Sequence, residues 1–286
     1  MSRLASGELV CRGIFPSELA TVQVDAVSGH HARAFASLRS LDQPHPARRV
    51  PPCPNHEQRE GACGGCALMA LSDAAQRELK RAMLRERFGL VVDQVEAASP
   101  TLGYRYSSKR VALAVEGRLV LGSFARRSHA PASMTGCLVD HPLLARAFDE
   151  AERQARQLGI QPYDEAHDRG DLRAVWGKTD GQQVILTLVV RAADGRAAVS
   201  LPQELRGVAG VLVSVQDQPT NQLRGAAATL SAGQPGLTVR LLDHEVEVGA
   251  LGFLQPNPRA AEACYRRLLE PASGADQGEL AFDLYA

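Results

Sequence analysis

The chain has 286 residues, with 32 Lys+Arg against 32 Asp+Glu and a formal net charge of zero. Its hydrophobic content of 45% suffices for buried cores in two or three small domains. No apolar run approaches membrane-spanning length, so a soluble protein is expected, with no membrane partner. Met1 to Ser6 leads into no apolar signal region, so a cytoplasmic location is expected.

In chain order, Glu8 to Ser40 alternates in short segments such as Thr21-Val22-Gln23-Val24-Asp25-Ala26-Val27 and His31-Ala32-Arg33-Ala34-Phe35. These predict strands of a small β-barrel or sheet. A Pro-rich crossing from Pro44 to Pro54 follows and delivers Cys53. After Cys66 a helix is expected, with Ser72 or Asp73 as N-cap and Gly89 as its stop. Ala75, Leu79, Ala82 and Met83 form its packed stripe. Val111 to Val115 and Leu119 to Phe124 flank Glu116-Gly117-Arg118 as a hairpin. Pro142 opens a helix to about Leu158, closed by Gly159. Val184 to Val190 and Val211 to Val215 are the clearest strands, and Leu237 to Leu242 pairs with Val246 to Val248. Asn257 and Pro258 start a helix ending at Pro271, and Leu280-Ala281-Phe282-Asp283-Leu284-Tyr285 reads as a buried strand.

The local charge distribution says more than the net charge. Between Thr101 and Ala130 stand Arg105, Lys109, Arg110, Arg118, Arg126 and Arg127 against the single acid Glu116, with Tyr104 and Tyr106 interleaved. Such a mixture suits a surface that meets phosphates and bases, and it also suits a solvated strand pair.

Cysteine placement is the most specific signal. Cys63-Gly64-Gly65-Cys66 can present two thiolates to one metal centre while the glycines let the backbone turn tightly. Cys53 upstream and Cys137 downstream complete four thiolate positions, which suit an iron–sulfur cluster and suit zinc as well. Disulfides are disfavoured in a cytosolic chain. Unliganded burial is the reading for Cys11 and Cys264, which sit alone in apolar contexts.

Together these residues resemble the uracil-C5 RNA methyltransferases, which use S-adenosylmethionine to make 5-methyluridine in ribosomal or transfer RNA. The resemblance rests on Arg12-Gly13-Ile14-Phe15-Pro16 with Val22-Gln23-Val24, on the four cysteines, and on Gly103-Tyr104-Arg105. It rests further on Phe253-Leu254-Gln255-Pro256-Asn257 and Phe282-Asp283-Leu284-Tyr285. It favours a [4Fe-4S] cluster held by Cys53, Cys63, Cys66 and Cys137, and it implies that Gln255 contacts S-adenosylmethionine. Phe253 would lie beside the target base, and Arg105, Lys109, Arg110, Arg126 and Arg127 would contact RNA.

The expected fold class is α+β. A partial TRAM-like β-barrel would occupy residues 1–45, and a central mixed α/β domain with the cluster loop residues 46–252. The first helix and strand of a Rossmann-like methyltransferase domain would occupy residues 253–286. The family's cofactor loop, nucleophilic Cys and basic Glu match no position here, and Cys264 lacks their surrounding motif. The expectation is therefore a monomeric fragment, inactive alone, whose complete protein methylates RNA. The alternative is a non-catalytic RNA-binding module carrying an iron–sulfur or zinc centre.

Overall fold

The computed structural model describes residues 2–4, 7–56, 62–97, 100–125, 128–220 and 222–270. The expected strand at Leu280 to Tyr285 and the residues Arg126 and Arg127 lie outside them. The chain divides into two units, Met1–Ala97 and Ala98–Ala286, which are described separately.

The first unit opens with four strands: β1 (Ser2–Leu4), β2 (Gly7–Cys11), β3 (Leu19–Val27) and β4 (Arg33–Gln43). They form one sheet in the order β1-β2-β4-β3, with β2 and β4 parallel and the other pairs antiparallel. Helix α1 (Asp73–Phe88) follows, and Ser72 caps it by accepting from the Ala75 N–H. Gly89 ends it at φ +68°, a left-handed conformation that glycine adopts without a Cβ penalty. The helix lays Ala75 and Leu79 against a small core of Phe15, Ala70 and Leu71. Met83, expected on that stripe, is instead 41% exposed.

Glu18 locks this unit from inside. Its carboxylate receives the Arg48 guanidinium at 2.7 Å and the backbone N–H groups of Phe15 and His45. Burial opposes ionisation, but these donors outweigh it and hold the Glu18 pKa down at about 2.

The second unit is built on a seven-stranded sheet. Its strands are β5 (Ser107–Val115), β6 (Arg118–Phe124), β7 (Pro131–Ser133), β8 (Leu172–Thr179), β9 (Val184–Val190), β10 (Gly210–Val215) and β11 (Thr229–Gly233). They run in the order β11-β10-β9-β8-β5-β6-β7, with β9 and β10 parallel and the other neighbours antiparallel. Glu116 (φ +48°) and Gly117 (φ +74°) make the two-residue turn between β5 and β6, where both central positions need positive φ.

Helix α2 (Pro142–Gln157) and the short helices α3 (Arg196–Val199) and α4 (Leu201–Glu204) pack on one face. His141 caps α2 by accepting the Leu143 N–H at its Nδ1. Burial, then the nearby Arg146, lowers the His141 pKa, which keeps that nitrogen available as an acceptor. Leu144, Ala147, Phe148, Ala151 and Ala155 of α2 are buried against Val175 and Leu186 of the sheet. Gly177 of β8 lies beneath them. A Cβ there would stand 2.4 Å from Leu144 and 2.9 Å from Phe148.

The opposite face carries the hairpin β12 (Gly236–Leu241) and β13 (His244–Gly249), whose Leu237, Val239 and Val248 pack on Ile185 and Leu212. Helix α5 (Pro258–Leu269) follows, capped by the Asn257 side chain accepting from the Ala260 N–H. No helix of the described residues is long and apolar enough to cross a membrane.

Strand β8 had no counterpart among the sequence expectations, although every one of its residues is buried. Its Leu172-Arg173-Ala174-Val175-Trp176-Gly177-Lys178-Thr179 mixes two cations and a glycine into a buried strand, so neither period-2 alternation nor an apolar run marks it.

Candidate functional site

Strand β8 organises the site. Ala174, Trp176 and Lys178 alternate with Val175 and Gly177, so they point away from α2 and toward the hairpin side. Trp176, the only tryptophan of the chain, packs there with Ala174, Val189 and Leu251.

The β5–β8 ladder pairs Lys109 directly with Trp176. The exposed Lys109 ammonium thereby lies 4.0 Å from the Trp176 ring centroid, and the Arg224 guanidinium lies 5.9 Å from the same ring. Both geometries fall within cation–π range.

Lys178 is 4% exposed. Its ammonium donates to the carbonyls of Gly249, Ala250 and Gly252 at 2.6, 2.7 and 2.6 Å. Burial, then repulsion from Lys109 and Arg224, lowers its pKa to about 8. Three carbonyl acceptors use all three of its protons and favour the charged form against that burial.

A second buried cation on β8 fixes another loop. Arg173 stacks 4.0 Å from the Tyr163 ring centroid and donates to the carbonyls of Gln216, Gln218 and Thr220. The Gln216 side chain then donates to the Arg224 carbonyl at 2.9 Å, so the segment carrying Arg224 is tied back to the sheet.

Lys109, Trp176, Lys178 and Arg224 line a cleft of about 650 Å³ together with Tyr104, Arg105 and Phe253. Arg105, Lys109, Lys178 and Arg224 contribute cations, and no carboxylate lines the cleft among the described residues. Phe253 is 78% exposed at its edge. A cationic pocket with exposed aromatic surface can hold phosphate and stack a base.

Of the residues singled out by sequence, Arg105, Lys109 and Phe253 meet in this cleft. Gln255 follows on the same segment and is half-buried, and the Pro256 carbonyl accepts from the Tyr106 N–H at 2.7 Å. Arg110, expected to contact RNA, does not line this cleft. It is 2% exposed, paired with Asp140, and donates to the Met134 carbonyl at 2.6 Å. As a neighbour of Lys109 on a strand it points to the other face, toward Phe148. Trp176, Lys178 and Arg224 were not among the sequence candidates. The lone tryptophan was the available signal, but nothing in sequence placed it beside Lys109.

The cysteines fall in both units. Around the first three, the His56 N–H donates to the Cys53 carbonyl and the Cys63 N–H to the Asn55 carbonyl, while the His56 ring meets the Cys66 carbonyl at 3.2 Å. A Cβ on Gly65 would stand in ordinary contact with Cys63 Sγ, at 3.4 Å. Cys137 belongs to the second unit, in the turn that Arg110 brackets through Met134 and Asp140. Burial, then Asp140, raises its thiol pKa. No group of three or more His, Cys, Asp or Glu side chains arranged to hold a metal ion occurs among the described residues. Cys264, expected to be buried, is exposed on α5, and Cys11 is half-buried.

No family model matches the chain. It is similar to an uncharacterized RNA methyltransferase of Halalkalibacterium halodurans, 28% identical over 255 residues that span 84% of this chain and 54% of that protein. An uncharacterized RNA methyltransferase of Clostridium tetani is 24% identical over 277 residues, spanning 92% of this chain and 59% of that one. The chain thus spans little more than half the length of the curated relatives it matches. Among solved structures, it superposes on the Pyrococcus abyssi tRNA (uracil-54, C5)-methyltransferase in complex with S-adenosyl-L-homocysteine with a TM-score of 0.71. That match has 19% identity and covers 92% of this chain and 60% of the other, and it is a likeness of fold.

Proposed function

We propose that this chain is the RNA-recognition part of a methyltransferase that modifies C5 of uracil in ribosomal or transfer RNA, with S-adenosylmethionine as methyl donor. The observation that carries this reading is the cleft: the cations Arg105, Lys109 and Arg224, no carboxylate among the described residues, and the exposed Phe253 on the segment that continues to Gln255. The similarity to RNA methyltransferases supports it.

On this reading Lys109, Arg224 and Arg105 attract the phosphodiester backbone, and Phe253 offers its face to an unstacked base. S-adenosylmethionine supplies the methyl group, and Gln255 gives it one polar contact. The addition of a thiolate to C6 and removal of the C5 proton need a nucleophile and a base, and no Cys, His, Asp or Glu lines the cleft among the described residues. By the resemblance, Cys53, Cys63, Cys66 and Cys137 would hold the cluster in a structural role. The division into three domains, residues 1–45, 46–252 and 253–286, belongs to the same proposal.

The test is binding of unmodified ribosomal or transfer RNA to this chain across a salt series, followed through Trp176 fluorescence, with labelled S-adenosylmethionine in a parallel assay. Binding that weakens steeply with salt, without label transfer by these 286 residues, is expected. Absent or salt-insensitive binding overturns the RNA reading. Label at uracil C5 overturns the assignment of the chemistry to residues outside this chain.

A further inference from the structure

Lys178 touches no group that the proposed reaction uses, yet it buries an ammonium that no carboxylate pairs with among the described residues. Such a charge is costly unless every donor is satisfied. Here all three protons go to one turn: the carbonyls of Gly249, Ala250 and Gly252 lie 2.6 to 2.7 Å from Nζ. The turn sits between the end of β13 and the segment Phe253 to Pro256, and it carries few other backbone ties. The Gly252 N–H reaches the Gly249 carbonyl at 3.3 Å, and Arg224 reaches the Leu251 carbonyl only at 3.5 Å. Beyond it the next anchor is the Tyr106 N–H on the Pro256 carbonyl. Ala250, Leu251 and Leu254 also pack on the hairpin core, while Lys178 and the Tyr106 N–H supply the polar ties on either side of Phe253 and Gln255.

We infer that Lys178 is a positioning residue: it fixes the turn at residues 249–252 and so sets Phe253 and Gln255 at the cleft, without itself contacting RNA. Its Nζ has no proton left for a phosphate while the three carbonyls are bound. The rigid end of the arrangement is β8, whose neighbours β5 and β9 pair it on both sides. Restraint thus passes from the centre of the sheet to an exposed loop that would otherwise be drawn from the mobile part of the fold. The consequence for RNA rests on the function proposed above. The consequence for the turn does not.

The experiment compares the 286-residue chain with its Lys178→Met, Lys178→Gln and Phe253→Ala variants and with the Lys178→Met/Phe253→Ala double variant. Amide hydrogen exchange is read at residues 249–256 and in β9 and β10. RNA affinity is read over a salt series. In Lys178→Met, exchange at 249–256 should rise about tenfold or more while β9 and β10 stay protected, because only the local opening is made easier. RNA affinity should fall with an unchanged salt slope, and the double variant should bind no worse than Lys178→Met, because both changes remove one contribution.

Unaltered exchange at 249–256 overturns the inference. A salt slope reduced by about one also overturns it, since that marks a direct phosphate contact. Should Lys178→Met lose protection throughout the sheet, Lys178→Gln decides. A local rise supports the inference, and a global loss in both variants overturns it by making Lys178 a general element of stability. If wild-type chain binds no RNA, the proposed function falls while the exchange measurement still tests Lys178.

Discussion

Lys109 and Trp176 face each other across the β5–β8 ladder, with the ammonium 4.0 Å from the indole centroid. The cation is exposed, so this contact contributes on the order of 0.5–1 kcal/mol to stability. Its larger role is to stand at a cleft that no carboxylate lines among the described residues.

Lys109→Met should therefore leave the fold nearly as stable and weaken RNA binding across sequences. The slope of log affinity against log salt should fall by about one, as for a lost phosphate contact. Trp176 emission should change in the unbound variant, because the charge beside the indole is gone. Binding titrations at several salt concentrations check both.

Arg110→Met should behave in the opposite way. It leaves the buried Asp140 only the more distant Arg105, 3.8 Å away, so the loss should approach but not reach the roughly 3–5 kcal/mol of a fully unpaired buried charge. Urea denaturation measures that loss. The salt slope of RNA binding should not change at a permissive temperature, because Arg110 never reaches the surface.

Gly177→Ala tests how α2 sits on the sheet. The new methyl would press on Leu144 and Phe148, and overpacking of this kind costs about 1–3 kcal/mol. A lower urea midpoint with an unchanged m value is the expected result. An unchanged midpoint would mean that α2 shifts without cost.

Acid sensitivity of the first unit follows from Glu18. Its folded pKa of about 2 lies below the ordinary 4.5, so the unfolded chain binds the proton more readily. The stability that Glu18 contributes is fully present above pH 4.5 and is lost as pH falls toward 2. Glu18→Gln should be less stable at neutral pH and should flatten this part of the pH–stability curve, as read by thermal unfolding.

Anaerobically prepared protein tests the cysteine reading. Iron and sulfide in equal amounts, with broad absorbance at roughly 400 nm, are expected of a thiolate-bound cluster. Cys66→Ser should abolish them. Zinc without sulfide would decide for the zinc centre, and a preparation without either metal would remove the centre altogether.

What is legible in sequence depends on whether the cause is local. Ser72, Gly89, Pro142, Gly159 and Asn257 act within one helical turn of themselves, so their residue types alone mark where α1, α2 and α5 begin or end. Glu116-Gly117 does the same for its hairpin, because positive φ is a property of those residues and of their neighbours. Val184 to Val190 declares itself by composition alone. Arg105, Lys109 and Phe253 are recognisable as candidates by residue type and by resemblance.

Only the tertiary structure decided what those candidates do. Lys109 and Arg110 are adjacent cations in sequence, but strand alternation sends one to the cleft and the other into the core beside Asp140. The packing of α5 leaves Cys264 exposed, and the short core under α1 leaves Met83 outside it. Strand β8 stayed hidden because its Arg173 and Lys178 are buried through carbonyls at residues 216–220 and 249–252, far along the chain. A pattern of hydrophobicity cannot show that a charge is buried when its partners are backbone groups more than forty residues away. The meeting of Trp176, Lys109 and Arg224 comes from ladder register and a pinned loop, and these exist only once the sheet has formed.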